Sequence, residues 1–565
     1  MPKSQHSFTS IRPKGEALVW FTGMGLSVGI LLIIGLLGII LKNGLSMFWP
    51  DTIYEVQLVE GSTAGPRNGQ NFAGAIALER HKRLQEATNA GLTSEFQFFA
   101  GNKDAYGQMY HYVDADQIVT DATGEPLFTP ASGILQLERI EFGDALGFPL
   151  EIQLADGTTI TEPEALKAAL FKTIEESNER LETYTKIEKK QIGRINSKME
   201  SIRLEQRALR EELGEAAAET SPQIQELNEQ QAALQAQYTE LAAEARELRE
   251  RRHQDSLLLR LATGEERRIS FENITQAHFP NEMSLPGKVG FFLKQIWRFM
   301  SEAPREANTE GGIFPAIFGT FVMTLLMSLA VMPFGVVAAI YLREYATQGV
   351  IVRAVRISVN NLAGVPSIVY GVFGLGFFVY VLGGSIDELF FSHKLPTATF
   401  GTGGVLWASL TLALMTVPVV IVATEEALSA VPRGMREAAL ACGASKWQAI
   451  QRIVLPASAP GILTGLILAM ARGAGEVAPL MLVGVVKLAP SLPLDGEFPF
   501  VHLDRKFMHL GFHIYDLAFQ SPDSDAAKPM VFATTLLLIV LVIVLNLSAI
   551  TIRNHLRKKY KGDTF

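Results

Sequence analysis

Six apolar segments, each long enough to cross a lipid bilayer, constrain the fold of this chain more than any other feature of its sequence. The hydrocarbon core of a bilayer is roughly 30 Å thick, so a helix needs about 20 apolar residues to span it. The segments of this length cover about 18–41, 313–342, 361–383, 404–424, 460–486 and 530–550. Of the 565 residues, 48% are hydrophobic. We therefore predict a mainly α fold built on six membrane-spanning helices.

Composition and motif content exclude several classes of protein. The formal net charge of −8 argues against binding to nucleic acid. The single cysteine, Cys442, excludes a disulfide within the chain. No cluster of side chains has the spacing of a zinc or iron–sulfur site, so neither metal nor cofactor is expected. No G-x-x-x-x-G-K-[ST] stretch occurs, so the chain is not expected to bind ATP in a P-loop or to be an enzyme.

Basic residues beside the segments predict which side of the membrane each loop occupies, because Lys and Arg are enriched in cytoplasmic loops. They precede the first segment and follow the second, fourth and sixth: Lys3, Arg12, Lys14, Arg343, Arg353, Arg356, Arg433, Arg436, Lys446, Arg452, Arg553, Arg557, Lys558, Lys559 and Lys561. No small-residue cleavage site follows the first segment, which favours a retained helix over a signal peptide. We expect both termini and loop 425–458 in the cytoplasm and 43–311 outside, with 1–42 carrying the first helix and 312–565 forming a five-helix core.

The external region begins with a stretch that is typical of a β-rich domain. Across 43–162, short runs alternate apolar and polar residues, as in 54–58. The pair Asp156-Gly157 favours a hairpin turn. Residues 263–311 are expected to add a returning strand and, over 287–301, an amphipathic helix on the membrane surface.

Residues 163–262, between these parts, are rich in Glu, Gln, Ala, Leu and Arg, with apolar residues at alternating spacings of three and four. This spacing indicates helices that pack along one seam. Ser221-Pro222 interrupts the pattern and is suited to begin a second helix. We predict an antiparallel coiled-coil hairpin, whose arms of about 40 residues would project roughly 60 Å.

The loop between the fourth and fifth segments contains a spaced pattern: E-A-A, three residues, G, nine residues and I-x-L-P. Glu and Ala favour a helix, and glycine is the residue with which helices most readily end in a left-handed cap. A second helix, from about 445 to 454, is expected to stop ahead of the proline. The pattern predicts a knob of two short helices that would dock into a soluble partner; an ordinary re-entry loop is the alternative. The pattern is filled by Glu437, Ala438, Ala439, Gly443, Ile453, Leu455 and Pro456.

Two opposite charges lie inside the fifth apolar segment. Arg472 is about twelve residues, or roughly 18 Å, into it, and Glu476 follows four residues later on the same helix face. A charge at this depth costs about 3 kcal/mol or more to insert and usually faces a wet cavity or the bundle interior. Gly473, Gly475 and Pro479 favour an opened helix, beside which a guanidinium is suited to hold a tetrahedral oxyanion. We predict a substrate pathway here, with a purely structural ion pair as the alternative.

The third apolar segment is interrupted by Pro366 and Ser367. Such a break exposes backbone groups and a hydroxyl that would meet a solute. We assign both residues to the predicted pathway, and core packing around a proline kink is the alternative. Glu344 and Tyr345, after the second segment, are expected on the cytoplasmic surface.

These stretches resemble the PstA-type permease subunit of bacterial phosphate importers, a member of the ABC type I importer class. The resemblance covers the first segment and the part from 311 to about 554. The residues that carry it lie at 308–312, 339–342, 362–369, 436–456, 471–472 and 475–480. An insert of about 43–307 departs from the usual pattern, in which a short loop joins the first two spans. The resemblance gives the insert no role; a spacer and a partner-binding element are both open.

The resemblance implies a multi-pass protein of the bacterial inner membrane that passes inorganic phosphate inward when partner subunits hydrolyse ATP. The implied partners are a second homologous permease, a dimer of cytoplasmic ATP-binding subunits, a periplasmic phosphate-binding protein and membrane lipid. Arg472 would contact or gate the phosphate, Glu476 would balance its charge, and 437–443 would couple the permease to the ATPase. The alternatives are a permease for another oxyanion, such as sulfate or molybdate, and an envelope scaffold or signalling protein that works through its coiled coil.

Overall fold

The computed structural model describes residues 17–83, 92–214, 220–496 and 500–560. The predictions that rest on Lys3, Arg12, Lys14 and Lys561 fall outside these residues. Helices α1 to α17 run, in order, over Ala17–Ser46, Lys103–Tyr106, Pro163–Thr185, Gly193–Leu213, Pro222–Gln254, Leu285–Ser301, Phe314–Ile340, Val350–Leu362, Ser367–Phe373, Gly384–Phe390, Val405–Ala430, Arg433–Ala441, Lys446–Ala449, Leu455–Gly475, Ala478–Val483, Leu510–Gln520 and Ser524–Tyr560. Wider, π-type helical turns extend or join some of them at Lys186–Ile192, Tyr341–Tyr345, Gly374–Gly383 and Ile450–Val454.

Strands lie between the first two spans, apart from isolated bridges elsewhere in the described chain. Strands β1 to β13 run over Ile53–Val56, Phe72–Arg83, Leu92–Phe99, Tyr110–Asp114, Phe128–Pro130, Leu135–Arg139, Ala145–Gln153, Thr159–Ile160, Ser256–Arg260, Glu266–Ser270, Ile274–His278, Pro304–Arg305 and Glu310–Gly311.

Six helical stretches of the described chain are long and apolar enough to cross a membrane. They are Trp20–Ser46, Phe314–Tyr345, Ser367–Phe390, Val405–Ala430, Lys446–Gly475 and Ser524–His555. The mainly helical, six-span fold expected from the sequence is therefore confirmed. The third span begins at Ser367 instead of 361, because the residue before Pro366 is pushed out of the helical conformation.

The fifth span corrects the prediction that a helix stops ahead of Pro456. The helix continues from Lys446 through Pro456 and ends at Gly475, where 460–486 was expected. A proline ring crowds the carbonyl four residues earlier in a regular helix. The wide turn Ile450–Val454 directly precedes it, and hydrogen bonds in such a turn reach the fifth residue instead of the fourth. This widening explains how the helix accommodates the proline.

The fourth span, α11, forms the centre of the membrane bundle and packs against α7 and α14. Small residues bring α11 and α14 together: Gly461 and Gly465 lie against the methyl groups of Ala427 and Ala423. Close backbone approach of this kind is how helices associate in lipid, where apolar side chains gain little by leaving the bilayer.

The insert between the first and second spans contains two large antiparallel sheets and the short pair β12–β13. Their strand orders are β4-β3-β2-β1-β5 and β10-β9-β7-β6-β11, with β8 paired to β7. The β7–β8 turn contains Gly157 at φ +85°, as the Asp-Gly signal predicts. Strands β9 to β11 complete the second sheet only after the helical part of the insert. The predicted domain boundaries stay predictions.

Helices α3 to α5 form an antiparallel helical hairpin. Its base is fixed by an ion pair of 3.0 Å between Arg180 and Asp255, and near its far end Gln206 donates to Asn228 at 3.0 Å. The α5 residues at the predicted spacing are buried or half-buried: Ile224, Leu227, Gln231, Leu234, Tyr238, Leu241, Ala245 and Leu248. Coiled-coil packing within the hairpin stays a prediction. Residues 196–208 and the turn Ser392–Lys394 together line a groove of about 750 Å³, so the hairpin lies against the bundle rather than projecting freely.

Helix α6 is amphipathic in an unusual way, because two of its faces are apolar. One face packs on the end of the first span, where the ring centroids of Phe48 and Phe299 lie 5.1 Å apart. A second apolar ridge is exposed at spacings of four residues and comprises Leu285, Val289, Leu293 and Trp297. An exposed ridge of this kind suits the predicted position on a membrane surface.

Candidate functional site

The fifth span opens at the position of the predicted charge pair. Helix α14 ends at Gly475, Glu476 is extended with φ −79° and ψ 136°, and α15 begins at Ala478. A side chain placed on Gly475 would meet nothing within 4 Å. Arg472 lies in the last turn of α14, where a positive charge also complements the carboxyl end of the helix. The sequence signals for an opened helix are thus matched by a break beside Arg472.

The pair formed by Arg472 and Glu476 is loose. Arg472 Nε lies 3.7 Å from Glu476 Oε1, and the two side chains are 35% and 22% exposed. Within the described residues, the guanidinium donates no hydrogen bond to the protein. Its five N–H donors are therefore largely free for an external acceptor. Glu476 thus offsets the charge of Arg472 and leaves most of its N–H donors accessible.

The break in the third span lies beside this opening. Helix α9 packs against α15 so closely that a Cβ on Gly371 would be 2.7 Å from Pro479 Cα. Tyr370, which the sequence analysis missed, interacts electrostatically with Arg472, and its hydroxyl donates to the Leu362 carbonyl at 2.7 Å. Its position one turn after Ser367 is the only sequence signal that would have indicated it.

Pro366 and Ser367 are less clearly part of the same site. Pro366 is exposed and immediately precedes α9, and Ser367 is half-buried. Among the described residues, neither forms a hydrogen bond with Arg472 or Glu476. Tyr370 is within electrostatic range of the arginine, and the role of Pro366 and Ser367 stays a prediction.

The E-A-A loop forms the two-helix elbow that its spacing predicts. Gly443 follows α12 with φ +85°, a conformation that side chains strongly disfavour. Its N–H donates to the Leu440 carbonyl at 2.9 Å, and Ala444 N–H donates to the Ala439 carbonyl at 3.1 Å. These two bonds form a Schellman cap. Ser445 then caps α13, with Gln448 closing a capping box.

The elbow presents an apolar surface flanked by polar residues. Met435, Leu440 and Trp447 are 42%, 50% and 52% exposed, and Glu437 and Ala438 lie beside them on the surface. Ala439 is buried, so it packs inside the elbow and is not part of this surface. The remaining residues of the pattern, Ile453, Leu455 and Pro456, are half-buried at the start of the fifth span.

An ion pair ties the elbow to the second span. Arg436 Nη2 lies 3.0 Å from Glu344 Oε1, and Arg436 also donates to the Leu428 and Val431 carbonyls at 2.6 Å. Lys446 donates to the Glu344 backbone carbonyl. Glu344 is thus largely buried at an interface between helices, where the sequence suggested a surface position. The elbow is thus bonded to the end of the second span as well as to the fourth span.

Comparison with known proteins places this architecture in a family. Residues 331–562 match the model of the binding-protein-dependent transport system inner membrane component. The phosphate transport system permease protein PstA of Yersinia pestis is 35% identical over 251 residues, which are 44% of this chain and 75% of that protein. The chain belongs to the PstA-type branch of this family. With its six spans, this PstA-type chain is a multi-pass inner membrane protein.

The mycobacterial relatives match over a smaller part of their length. The PstA of Mycobacterium leprae is 39% identical over 175 residues, 31% of this chain and 52% of that protein. The chain therefore spans about half the length of this mycobacterial relative. Among solved structures, a chain of the inward-facing MetNI methionine ABC transporter aligns with 48% of this chain and 99% of its own length, at 18% identity and a TM-score of 0.33. The matched family region contains the elbow and Arg472 but not the insert.

Proposed function

We propose that the chain is the permease subunit of an ATP-driven inorganic phosphate importer. It forms the translocation pathway with a second homologous permease, receives phosphate from a periplasmic binding protein and is driven by a dimer of cytoplasmic ATP-binding subunits. Both termini are cytoplasmic and 43–311 is periplasmic in this proposal. The relatives named as phosphate permeases support the choice of substrate.

The loosely paired Arg472 is the observation that carries the proposal. A guanidinium with free donors beside a helix break offers a planar fork that matches two oxygens of a phosphate. Glu476 keeps the site from holding the anion too tightly, because its carboxylate competes for the same donors. Tyr370 lines the neighbouring wall through the third span. Pro366 and Ser367 belong to the same pathway in this proposal.

The elbow is the proposed link to ATP hydrolysis. Its exposed Met435, Leu440 and Trp447 suit an apolar groove on a partner. Glu437, Ala438, Ala439 and Gly443 give the elbow its shape. Ile453, Leu455 and Pro456 join it to α14, so a displacement of the elbow reaches Arg472 along one continuous helix.

Radiolabelled phosphate uptake in cells that carry Arg472→Ala tests the proposal. Loss of a charge-assisted, bidentate contact is expected to lower uptake by about tenfold or more, while Arg472→Lys retains part of it. Arg553→Ala, in the sixth span, is the matched control because Arg553 contacts Thr464 Oγ1 at 3.3 Å, away from the helix break.

Two further measurements make the uptake result decisive. The variant must still assemble with its partners, as judged by co-purification, since an unassembled complex also loses uptake. Excess unlabelled sulfate or molybdate should leave wild-type uptake unchanged. Normal uptake by assembled Arg472→Ala contradicts the pathway role, and strong competition by sulfate or molybdate contradicts the choice of phosphate.

A further inference from the structure

A cavity of about 430 Å³ lies where the insert meets the membrane bundle. Its wall combines the end of the first span, both sheets of the insert, helix α6, the segment Thr309–Gly311 and the start of the sixth span. Aromatic rings of Phe48, Trp49, Phe99, Phe291 and Phe299 line it together with several acidic side chains. The Arg472 opening is elsewhere in the bundle, and the proposed transport mechanism makes no use of this cavity.

The carboxylates of the cavity outnumber the cations available to them. Glu138 and Glu302 are neutralised by Arg298 and Arg305, with Arg298 Nη1 to Glu138 Oε2 at 2.6 Å. The remaining lining carboxylates, Asp51, Asp144 and Glu310, have no ion-pair partner among the described residues. Asp144 receives only a hydrogen bond from the Gln136 amide, at 2.7 Å.

Two buried acceptors in the wall have no partner among the described residues. His278 is 8% exposed, lies in the wall with its ring 4.4 Å from that of Phe291, and has no partner for Nδ1. Glu310 Oε2 is likewise buried and unpaired. An orphaned buried polar atom costs about 1–3 kcal/mol, so these two atoms indicate a missing hydrogen-bond partner.

Burial shifts the pKa values of both side chains that have unpaired atoms. Burial lowers the pKa of His278 to about 4, so its ring is neutral at pH 7 and Nδ1 can accept a hydrogen bond. Burial raises the pKa of Glu310 to about 8, helped by the fields of Asp144, Glu138 and Glu306 and opposed by Arg305, so its carboxyl is largely protonated at pH 7 unless a cation binds. A bound cation would remove this penalty on the charged carboxylate.

The side chains that line the cavity favour one chemical class of bound cation. The described residues contain no group of three His, Cys, Asp or Glu side chains that would hold a metal ion. Aromatic rings beside carboxylates attract organic ammonium groups. A primary ammonium has three N–H donors for the carboxylates and His278, whereas a quaternary ammonium has none and would leave these acceptors unpaired.

We propose that this cavity binds a primary ammonium group at the external surface of the inner membrane. The end of the first span forms part of the cavity wall, so the head group of phosphatidylethanolamine is a natural source. A small free amine presents the same group to the same acceptors. The site would hold the insert on the bundle, because its wall is built from both.

The test uses the full-length chain in its native assembly, in nanodiscs of phosphatidylglycerol with either phosphatidylethanolamine or phosphatidylcholine. After detergent washing, mass spectrometry counts the retained lipid. Wild type should retain phosphatidylethanolamine about tenfold over phosphatidylcholine. Glu310→Gln should lose this preference, whereas Glu125→Gln, which changes an exposed carboxylate of the insert, should keep it.

A second arm separates the two sources. Lipid-depleted protein is heated with millimolar ethanolamine or with choline. Stabilisation by ethanolamine alone, absent in Glu310→Gln, supports a free-amine site even when no lipid preference is found. Equal retention of both lipids together with no ethanolamine effect overturns the proposal, and this wild-type comparison holds even when a variant fails to fold.

Discussion

At the residue scale, Gly443 shows how one backbone conformation shapes the elbow. Its φ of +85° places the next residue so that the Schellman bonds can form, and a side chain there would meet nothing within 4 Å. Any penalty for a side chain is therefore conformational and not steric contact with neighbours. For non-glycine residues this backbone region costs about 1–2 kcal/mol.

Gly443→Ala is accordingly expected to destabilise the elbow by about 1 kcal/mol and to weaken the stimulation of the partner ATPase by the binding protein. Gly434→Ala is the matched control, because Gly434 lies within α12 with equally open surroundings and no left-handed backbone. Stimulation of ATP hydrolysis in the reconstituted complex measures the effect. Identical behaviour of the two variants would contradict the role given to the cap.

The helix break beside Arg472 was predictable from the sequence, whereas the neighbours of this arginine were not. A charge in an apolar segment, followed by Gly473, Gly475 and Glu476, already indicates a helix break, although the structure places Arg472 in the last turn of the fifth span and not near its middle. Tyr370 comes within electrostatic range of the arginine because α9 packs on α15 at Gly371 and Pro479. Contacts between distant helices leave no periodic pattern in either of them.

At the element scale, the pair between Arg436 and Glu344 connects α12 to the end of the second span. The two side chains are 21% and 12% exposed, so they are partly removed from water. Arg436 also satisfies two carbonyls at the end of α11. The elbow is thus attached to two spans and not only to its own helix.

Arg436→Ala is expected to lower the free energy of unfolding by about 1–3 kcal/mol, because it leaves buried acceptors without donors. Glu344→Gln should cost less, since the carbonyl bonds of Arg436 remain. Arg433→Ala, on the exposed side of α12, is the control and should change stability little. Thermal unfolding of the purified complex ranks the three variants, and equal losses at Arg436 and Arg433 would refute this account of the elbow.

Two prolines of the membrane core, Pro366 and Pro456, show how far local signals predict an element. Helix α9 begins directly after Pro366, and a break precedes it. This agrees with the rule that the residue before a proline disfavours the helical conformation. Pro456 carries the same local signal, yet it lies inside a continuous helix behind a wide turn. Hydrogen-bond spacing, which decides between these outcomes, cannot be inferred from the proline alone.

At the scale of the whole molecule, the helical hairpin interrupts a sheet. Strand β9 pairs with β7, although α3 to α5 separate them in sequence. Helix α3, the first helix of the hairpin, also covers this sheet. Its Leu166, Leu170 and Ile174 lie in the hydrophobic core of the sheet. A deletion of the whole stretch 163–262 would therefore remove part of the sheet as well as the hairpin.

Deleting 189–246 and closing the gap with a short glycine-containing turn spares the sheet, α3 and the pair of Arg180 with Asp255. We expect the shortened chain to assemble and to retain phosphate uptake, because the Arg472 opening and the elbow are untouched. Co-purification and uptake measure this. Loss of uptake by an assembled complex would assign the distal hairpin a direct part in transport.

The six spans and the β-rich start of the insert were predictable because their periodicities are local. The cavity at the junction was not, since its wall draws on 46–51, 136–144, 278–311 and 526–529. Each of these stretches is unremarkable alone. Only the packing of the insert on the bundle brings their unpaired carboxylates together.

Phosphate accumulation in proteoliposomes tests the central claim most directly. The purified complex is supplied with the binding protein and phosphate on one side and with ATP on the other. We predict ATP-dependent phosphate accumulation that Arg472→Ala lowers by about tenfold or more without loss of complex assembly. Undiminished accumulation by the assembled variant, or equal accumulation of sulfate by the wild type, would contradict the account.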